Sequence, residues 1–461
     1  MKQKISAIIF IAFVAVSMAL GQTNSNSQAR IIAGPMLGYN THTECMIWVQ
    51  TIGADETSIQ YKVLGAKGEW QTELNYVFVI GKNRPQANKF YLTQLEMGKT
   101  YEYQILLDGV VQKSTYPLQF KTQELWEWRK PAPDFSFLAG SCLYINDSAY
   151  DRPGVPYGKS TDILSTMANT PADFMLWLGD NVYMREADYS SISGMKDRYL
   201  HTRSEPKLQP LLAKMNHYAI WDDHDYGDND ANKTFEHKLT SLDLFSEYWA
   251  NRSGLYSHEN GIYYSFKHSD AEFFMLDNRW FRDESNLNEQ FFAKTQLGAK
   301  QLDWLKNKLA HSKAVFKFVC VGGQFLNEHT NKESFNLYKK EREEIIQFMT
   351  DQKISGVMFL SGDRHHTELL KNDKVTATLG YPLYDLTSSS ITAGASSIIG
   401  SDEEKNPMRV ANTLTAENNF CRIQISGKKK GERQLEISNY DAKGMVKWGY
   451  VIKEADLKAK K

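Results

Sequence analysis

The 461-residue chain has no excess of either charge: 54 lysines and arginines stand against 55 aspartates and glutamates. Electrostatic nucleic-acid binders carry a basic surplus or stripe, so no nucleic-acid partner is expected. The one basic run, Lys428-Lys429-Lys430, reads as a solvated turn between two strands. Cysteine is scarce. Four residues allow no disulfide framework to be assigned, and Cys45, Cys320 and Cys421 read as small buried apolar side chains. Beyond the N-terminus no apolar run reaches the ~20 residues that a bilayer span needs, and no internal repeat appears.

What is present begins with Lys2 and Lys4, an apolar stretch from Ile5 to Leu20, and Ala19-Leu20-Gly21 before Gln22. Basic residues, a short apolar core and small residues at its end read as a cleavable export signal over 1–21. The chain is therefore expected to be periplasmic or secreted, with no stable membrane span after cleavage. About 440 residues would remain, enough for two or three domains.

From 30 to 122 the pattern is short β-rich runs: Met46 to Val49, Ile59 to Val63, Tyr76 to Ile80 and Tyr101 to Ile105. Turn residues between them at sandwich spacing predict a small β-sandwich like fibronectin type III or immunoglobulin domains, with Gly98 to Tyr103 resembling the strand of a tyrosine corner. A linker over 123–133 holds Trp126, Trp128, Pro131 and Pro133. From 134 to 455 strand-like and helical patterns alternate, the signature of an α/β layer architecture. Helices are predicted over Leu297 to His311 and Lys339 to Asp351, each with one apolar face. The Ser/Thr/Gly/Ala-rich stretch from Thr387 to Ser401 predicts a loop, placed near the mouth of a site.

Four strand-like blocks each break into metal-ligand residue types: Ser136 to Cys142, Leu176 to Tyr183, Ile220 to Asp225, and Val357 to His366. In open α/β sheets ligands bind outside the carboxyl ends of strands, where these polar residues fall. Asp180 is the candidate bridging carboxylate, since a shared acid lets two cations sit about 3.5 to 4 Å apart. Tyr183, three residues on, adds a hard phenolate, and Cys142 adds a thiolate. Three acids and a histidine within four residues repel one another unless a cation holds them ionised, so Asp222 to Asp225 predicts a site.

In that block Asp223 is assigned to the second metal and His224 to the general acid that protonates the leaving oxygen. Asp225 is placed to orient the imidazole. Asp228, Asn229 and Asp230 downstream either supply another oxygen ligand or close a turn. Asp363 and His365 share a side of an extended segment and reach one cation each. Arg364 either clamps phosphate oxygens or pairs with local carboxylates, and His366 is either exposed or substrate-facing.

Together these blocks, with Leu276 to Arg282, resemble the alkaline phosphatase D (PhoD-like) branch of the calcineurin-type metallophosphatases across most of the chain. The resemblance implies an α/β fold of four layers, α/β/β/α, behind the small sandwich domain. It implies a ferric ion held by Cys142, Asp180, Tyr183 and His365. It also implies calcium held by Asp180, Asp223 and Asp363 with Asn229 as an addition, another divalent metal being compatible with that second place. Purple acid phosphatases are set aside because this chain has Cys142, Asp223 and Asp363 where they normally carry other residues. One departure stands out. The further histidine that many metallophosphatases carry after the strand Phe316 to Gln324 is missing, leaving Gln324, Asn327, His329 or no replacement at all.

The expected activity is hydrolysis of phosphate monoesters, diesters or both by metal-activated water. The alternatives are a phosphodiesterase or phospholipase-type hydrolase restricted to lipid or polymer diesters, and a glycan- or polymer-binding surface protein with a vestigial metal site.

Overall fold

The structure, a computed structural model, describes residues 28–75, 84–252, 259–329 and 332–460. The segment read as an export signal and the expected strand Tyr76 to Ile80 lie outside the described residues.

Eight strands precede the α/β region: β1 (Arg30–Asn40), β2 (Cys45–Ile52), β3 (Thr57–Val63), β4 (Gln71–Asn75), β5 (Gln86–Leu92), β6 (Thr100–Leu107), β7 (Val110–Val111) and β8 (Gln119–Lys121). Within this unit every pairing is antiparallel. Its two layers enclose a core of Ile47, Val49, Phe90, Ile59, Tyr103 and Phe120. The tyrosine corner is formed, with the Glu96 backbone N–H donating to the Tyr101 hydroxyl at 2.8 Å.

The remaining strands are β9 (Phe135–Gly140), β10 (Phe174–Leu178), β11 (Asn216–Ile220), β12 (Tyr264–His268), β13 (Ala271–Met275), β14 (Phe316–Val321), β15 (Val357–Ser361), β16 (Glu368–Asn372), β17 (Leu383–Thr387), β18 (Asn419–Ser426), β19 (Gln434–Asp441) and β20 (Val446–Lys453). They form two sheets. One has the order β20-β19-β18-β9-β10-β11-β1-β2-β5, the other β12-β13-β14-β15-β17-β16. The N-terminal unit is thus joined to the larger region through a shared sheet, by the parallel pairing of Leu37 in β1 with Asn216 in β11. The period of two in β2 serves both sides, sending Met46 and Trp48 to the main core and Cys45, Ile47 and Val49 to the sandwich core.

The central strands β9, β10, β14 and β15 are buried at every residue. That is why their sequences read as unbroken apolar runs and why they pair in parallel. The two sheets face each other through aromatic edges: Phe137 meets Phe273 at 5.2 Å and Phe318 at 5.4 Å, and Phe174 meets Phe273 at 5.4 Å. Such pairs contribute about 0.5–1.5 kcal/mol each beyond their area.

Helices complete the layers. Gly298–His311 packs Leu305 and Leu309 into the core, and Lys339–Asp351 packs Ile345 and Met349, as the apolar stripes predict. Asp162–Asn169 and Gln209–Lys214 contribute Ile163, Met167, Leu211 and Leu212 to the same core. The result is the expected α/β/β/α sandwich behind a small antiparallel β unit. Among the described residues no helix is long and apolar enough to cross a membrane.

Candidate metal centre

The central parallel strands end side by side, so the polar residues just past them converge. β9 ends two residues before Cys142, β10 two before Asp180, β11 three before Asp223 and β15 two before Asp363. Each chain must turn sharply as it leaves its strand. Cys142, Asp180, Asp363 and His365 all have left-handed backbone, at φ 62°, 52°, 66° and 56°. For L-residues this costs about 1–2 kcal/mol each, and such outliers cluster at functional sites. Gly179 makes the approach possible, because a Cβ there would lie 2.7 Å from Cβ of Asp222.

Asp180 is at the centre, with its two carboxylate oxygens facing different groups. Oδ2 accepts from the Tyr183 hydroxyl at 3.0 Å and faces Sγ of Cys142 at 3.7 Å. The Tyr183 hydroxyl lies 2.9 Å from Nε2 of His365. Oδ1 faces the next loop, accepting from the backbone N–H of His224 at 3.3 Å. Ligand atoms of Cys142, Asp180 and His365 lie within 4.8 Å of one another, and so do those of Asp180, Asp223 and His224. The thiol, phenol and His365 thus meet on one side of Asp180, and Asp223 and His224 on the other.

Nδ1 of His365 lies 2.8 Å from the Gly394 carbonyl, which selects the tautomer that leaves Nε2 as a lone pair facing Tyr183 and Asp180. Ser389 ties two of these groups together. Its hydroxyl donates to Sγ of Cys142 at 3.1 Å and accepts from the His365 backbone N–H at 2.9 Å. The 387–401 segment is therefore both floor and rim. Ser388 to Ser390 are fully buried, while Ser396 lines the cavity mouth with Tyr157, Asn229 and Arg364.

The electrostatics favour cations. Burial, and then the charges of Asp223 and Cys142, push Asp180 well above the carboxylate range. Burial also pushes Cys142 up to about 12, Asp363 up to about 8, and Tyr183 well above its ordinary value. Asp223 goes the other way. Burial works against its ionisation, but the positive charges of His224 and Arg279 outweigh it. Buried Oδ1 of Asp223 and Nδ1 of His224 meet no hydrogen-bond partner. An orphaned carboxylate oxygen, a thiol, a phenol and the His365 imidazole around one shared acid fit a pair of metal ions.

A stability prediction follows. Folded carboxyls with raised pKa hold protons that the unfolded chain has released above about pH 4, so stability falls as pH rises through that window. The chelator-treated protein is expected to lose thermal stability between about pH 5 and pH 8, at up to about 1.4 kcal/mol per pH unit for each such group. Cations bound at these groups would replace those protons and flatten the curve. Equal slopes with and without metal, measured by thermal unfolding, would contradict this.

Two expected roles, those of Asp225 and His366, need correction. Asp225 does not orient the His224 imidazole. It occupies the third position of the short helix Asp223–Tyr226, where its oxygens accept from the backbone N–H of Asp222 and Asn181 at 3.0 Å each. It ties the two ligand loops together instead. His366 is neither exposed nor substrate-facing; it is fully buried 3.5 Å from Glu368. Of the expected run 228–230, Asp230 groups with Asp223 and Glu333, while Asn229 lines the cavity and donates to Asp230 at 2.9 Å. Arg364 lines the cavity and pairs with Glu403 at 2.5 Å. Asp363 shares this cavity, but its grouped neighbours are Asp222 and Glu333.

Gln324 and Asn327 do not replace the missing histidine. Gln324 donates to Glu368 and Thr387, and Asn327 donates to Gln324. His329 is exposed, and it is not among the residues lining the cavity. The return of the same segment, paired at Gln324 with Ser334, instead brings in Glu333, which no sequence pattern marked.

Two facing mixed sheets with acids, a thiol and imidazoles at the carboxyl ends of their strands define the metallophosphatase class of fold. The PhoD-like phosphatase family model matches residues 153–443, and the chain belongs to that family. It is 25% identical over 308 residues to alkaline phosphatase D of Bacillus subtilis (strain 168), a match covering 56% of this chain and 52% of that protein. The match thus spans about half the length of that curated relative. The solved structure of PhoD superposes with a TM-score of 0.73 at 16% identity, covering 93% of this chain and 91% of that one. Purple acid phosphatase PPD1 from yellow lupin (Lupinus luteus) seeds gives 0.63 at 10% identity, covering 91% and 74%. At these identities the two structures speak for the fold alone.

Proposed function

We propose that the Asp180 cluster is a two-cation centre hydrolysing phosphate esters. The observation that carries this reading is the division of Asp180: one oxygen faces Cys142 and Tyr183, the other the loop of Asp223 and His224. Cations bound there would polarise the phosphoryl group and lower the pKa of an attacking water. The hard phenolate of Tyr183 and carboxylate of Asp180, with the thiolate of Cys142 and the imidazole of His365, suit a ferric ion, whereas the oxygen-rich side at Asp180 and Asp223 suits calcium.

The chain's own groups supply the rest. His224 lines the cavity with Nδ1 unpartnered, which fits a group that delivers a proton to the departing oxygen. Its ring lies against Tyr183, with centroids 4.3 Å apart, a contact that favours this orientation. Arg364, buried and braced by Glu403, lines the cavity as a cation for substrate oxygens. The cavity encloses about 520 Å³. That volume exceeds what a phosphate alone fills, which supports extending the proposal to diesters as well as monoesters. The N-terminal pattern supports action outside the cytoplasm.

The test is turnover of aryl phosphate monoesters and diesters by protein whose metals have been quantified. Hydrolysis dependent on bound metal is expected; a fully metal-loaded protein that cleaves neither would leave only a binding role. In iron-loaded protein a visible charge-transfer band is expected, and Tyr183→Phe should shift or abolish it with iron retained. An unchanged band would remove Tyr183 from the ligand set.

A further inference from the structure

The sulfur of Cys142 is fully buried, and two serine hydroxyls reach it. Only one of them has a proton to give. The Ser141 hydroxyl lies 3.4 Å from Sγ but donates to the Ser388 carbonyl at 3.0 Å. The Ser389 oxygen accepts from the His365 backbone N–H at 2.9 Å, which leaves its single proton for Sγ at 3.1 Å.

The direction of that hydroxyl is fixed from behind. The Ser389 backbone N–H donates to Oγ1 of Thr367 at 3.0 Å, and the Ser389 carbonyl accepts from the Asn419 amide at 2.8 Å. Thr367 in turn donates to Oδ1 of Asn419 at 2.6 Å, and the Asn439 amide donates to the same oxygen at 2.7 Å. All four residues are fully buried. A buried network satisfied in this way holds its groups in one arrangement. The same segment fixes His365. The left-handed His365 backbone gives its N–H to Ser389 and receives the Ser396 N–H on its carbonyl at 2.8 Å, while the Gly394 carbonyl faces Nδ1. Sulfur and imidazole are thereby set from one stretch of chain.

A cysteine binds a metal as its thiolate, and a buried thiolate has lost the water that would solvate its charge. The Tyr183 phenol cannot compensate for that loss once it has given up its own proton to become a ligand. The Ser389 hydroxyl keeps its proton. Hydrogen bonds to a ligand sulfur draw charge from it and raise the reduction potential of the iron it holds. We propose that Ser389 is a positioning residue that tunes the charge on the Cys142 thiolate. Its hydroxyl takes up part of the negative charge of the sulfur, so that a bound ferric ion stays a strong Lewis acid toward phosphate oxygens. The His365 N–H keeps that hydroxyl aimed at sulfur. This role rests on reading Cys142 and Tyr183 as ligands of iron.

The test is resonance Raman spectroscopy of iron-loaded protein equilibrated in H2O and in D2O, with iron quantified and the reduction potential measured. In the parent the iron–sulfur stretch is expected to shift in D2O, because the donor on sulfur carries an exchangeable proton. Ser389→Ala is expected to keep its iron, lose that isotope shift and show a lower potential. Its sulfur-to-iron charge-transfer band should move to longer wavelength, because a more electron-rich sulfur gives up charge at lower energy. A merely structural role would lower the melting temperature and leave the isotope shift, the band and the potential in place. A parent stretch that does not respond to D2O would overturn the proposal without any variant. So would a Ser389→Ala protein that retains both iron and isotope shift, or one that cannot hold iron at all, which would make Ser389 a support of the site. An iron-loaded parent with no iron–sulfur stretch removes Cys142 from the ligand set, and with it the reading on which the role rests. A clear stretch in the parent that is unchanged in the variant removes the role of Ser389 alone.

Discussion

Asp180→Asn is expected to abolish binding of both metals and to lower kcat/KM by about three orders of magnitude or more, a loss of about 4 kcal/mol of transition-state stabilisation. The substitution keeps size and shape, so the turn after β10 should survive. What changes is the charge and one oxygen. Oδ2 faces the Cys142 and Tyr183 side and Oδ1 the Asp223 and His224 side, and in asparagine one of these becomes an NH2 that points donors at a cation. Whichever way the amide lies, one side loses a ligand and both lose a shared negative charge. A ligand confined to one side behaves differently: Cys142→Ser is expected to weaken the metal beside Tyr183 and spare the other. Titration of metal content in the two variants separates a bridge from an ordinary ligand. Asp180→Asn retaining one metal at full occupancy would show that the acid serves a single ion.

The second large effect is expected at His224. In His224→Ala the metals should stay bound, because Asp180, Asp223, Cys142, Tyr183 and His365 are untouched. Turnover should fall by about 10²–10⁴ on alkyl esters, whose leaving oxygens need a proton, and by far less on nitrophenyl esters, whose leaving groups depart without one. The structure favours this division. His224 is held by its ring contact with Tyr183, its backbone N–H donates to Asp180, and Nδ1 has no protein partner. Equal losses for good and poor leaving groups would make His224 a ligand or a binding residue instead of an acid.

Much of this arrangement could be read along the chain because parallel central strands are buried on both faces. That constraint makes Phe174 to Leu178 and Val357 to Ser361 apolar throughout, so the first polar residues beyond them stand out. The helices at Gly298–His311 and Lys339–Asp351 were equally plain from their apolar stripes. What could not be read was the contribution of irregular backbone. Glu333 and Ser389 sit in segments without periodicity, and they reach the centre only because one loop returns along Gln324 and another turns under Cys142. Asp225 misled for the opposite reason. Its place in an acidic run suggested a partner for His224, but the short helix turns its carboxylate back to the backbone of Asp222 and Asn181. The joined sheet was also hidden, because the parallel pairing of Leu37 with Asn216 links strands some 180 residues apart.

The most direct test of the shared carboxylate is anomalous diffraction at the metal absorption edges from crystals grown with the protein's own ions. Two peaks about 3.5 to 4 Å apart, one on each side of Asp180, are expected, the first against Cys142, Tyr183 and His365 and the second against Asp223. A single peak, or two that do not share Asp180, would contradict the account.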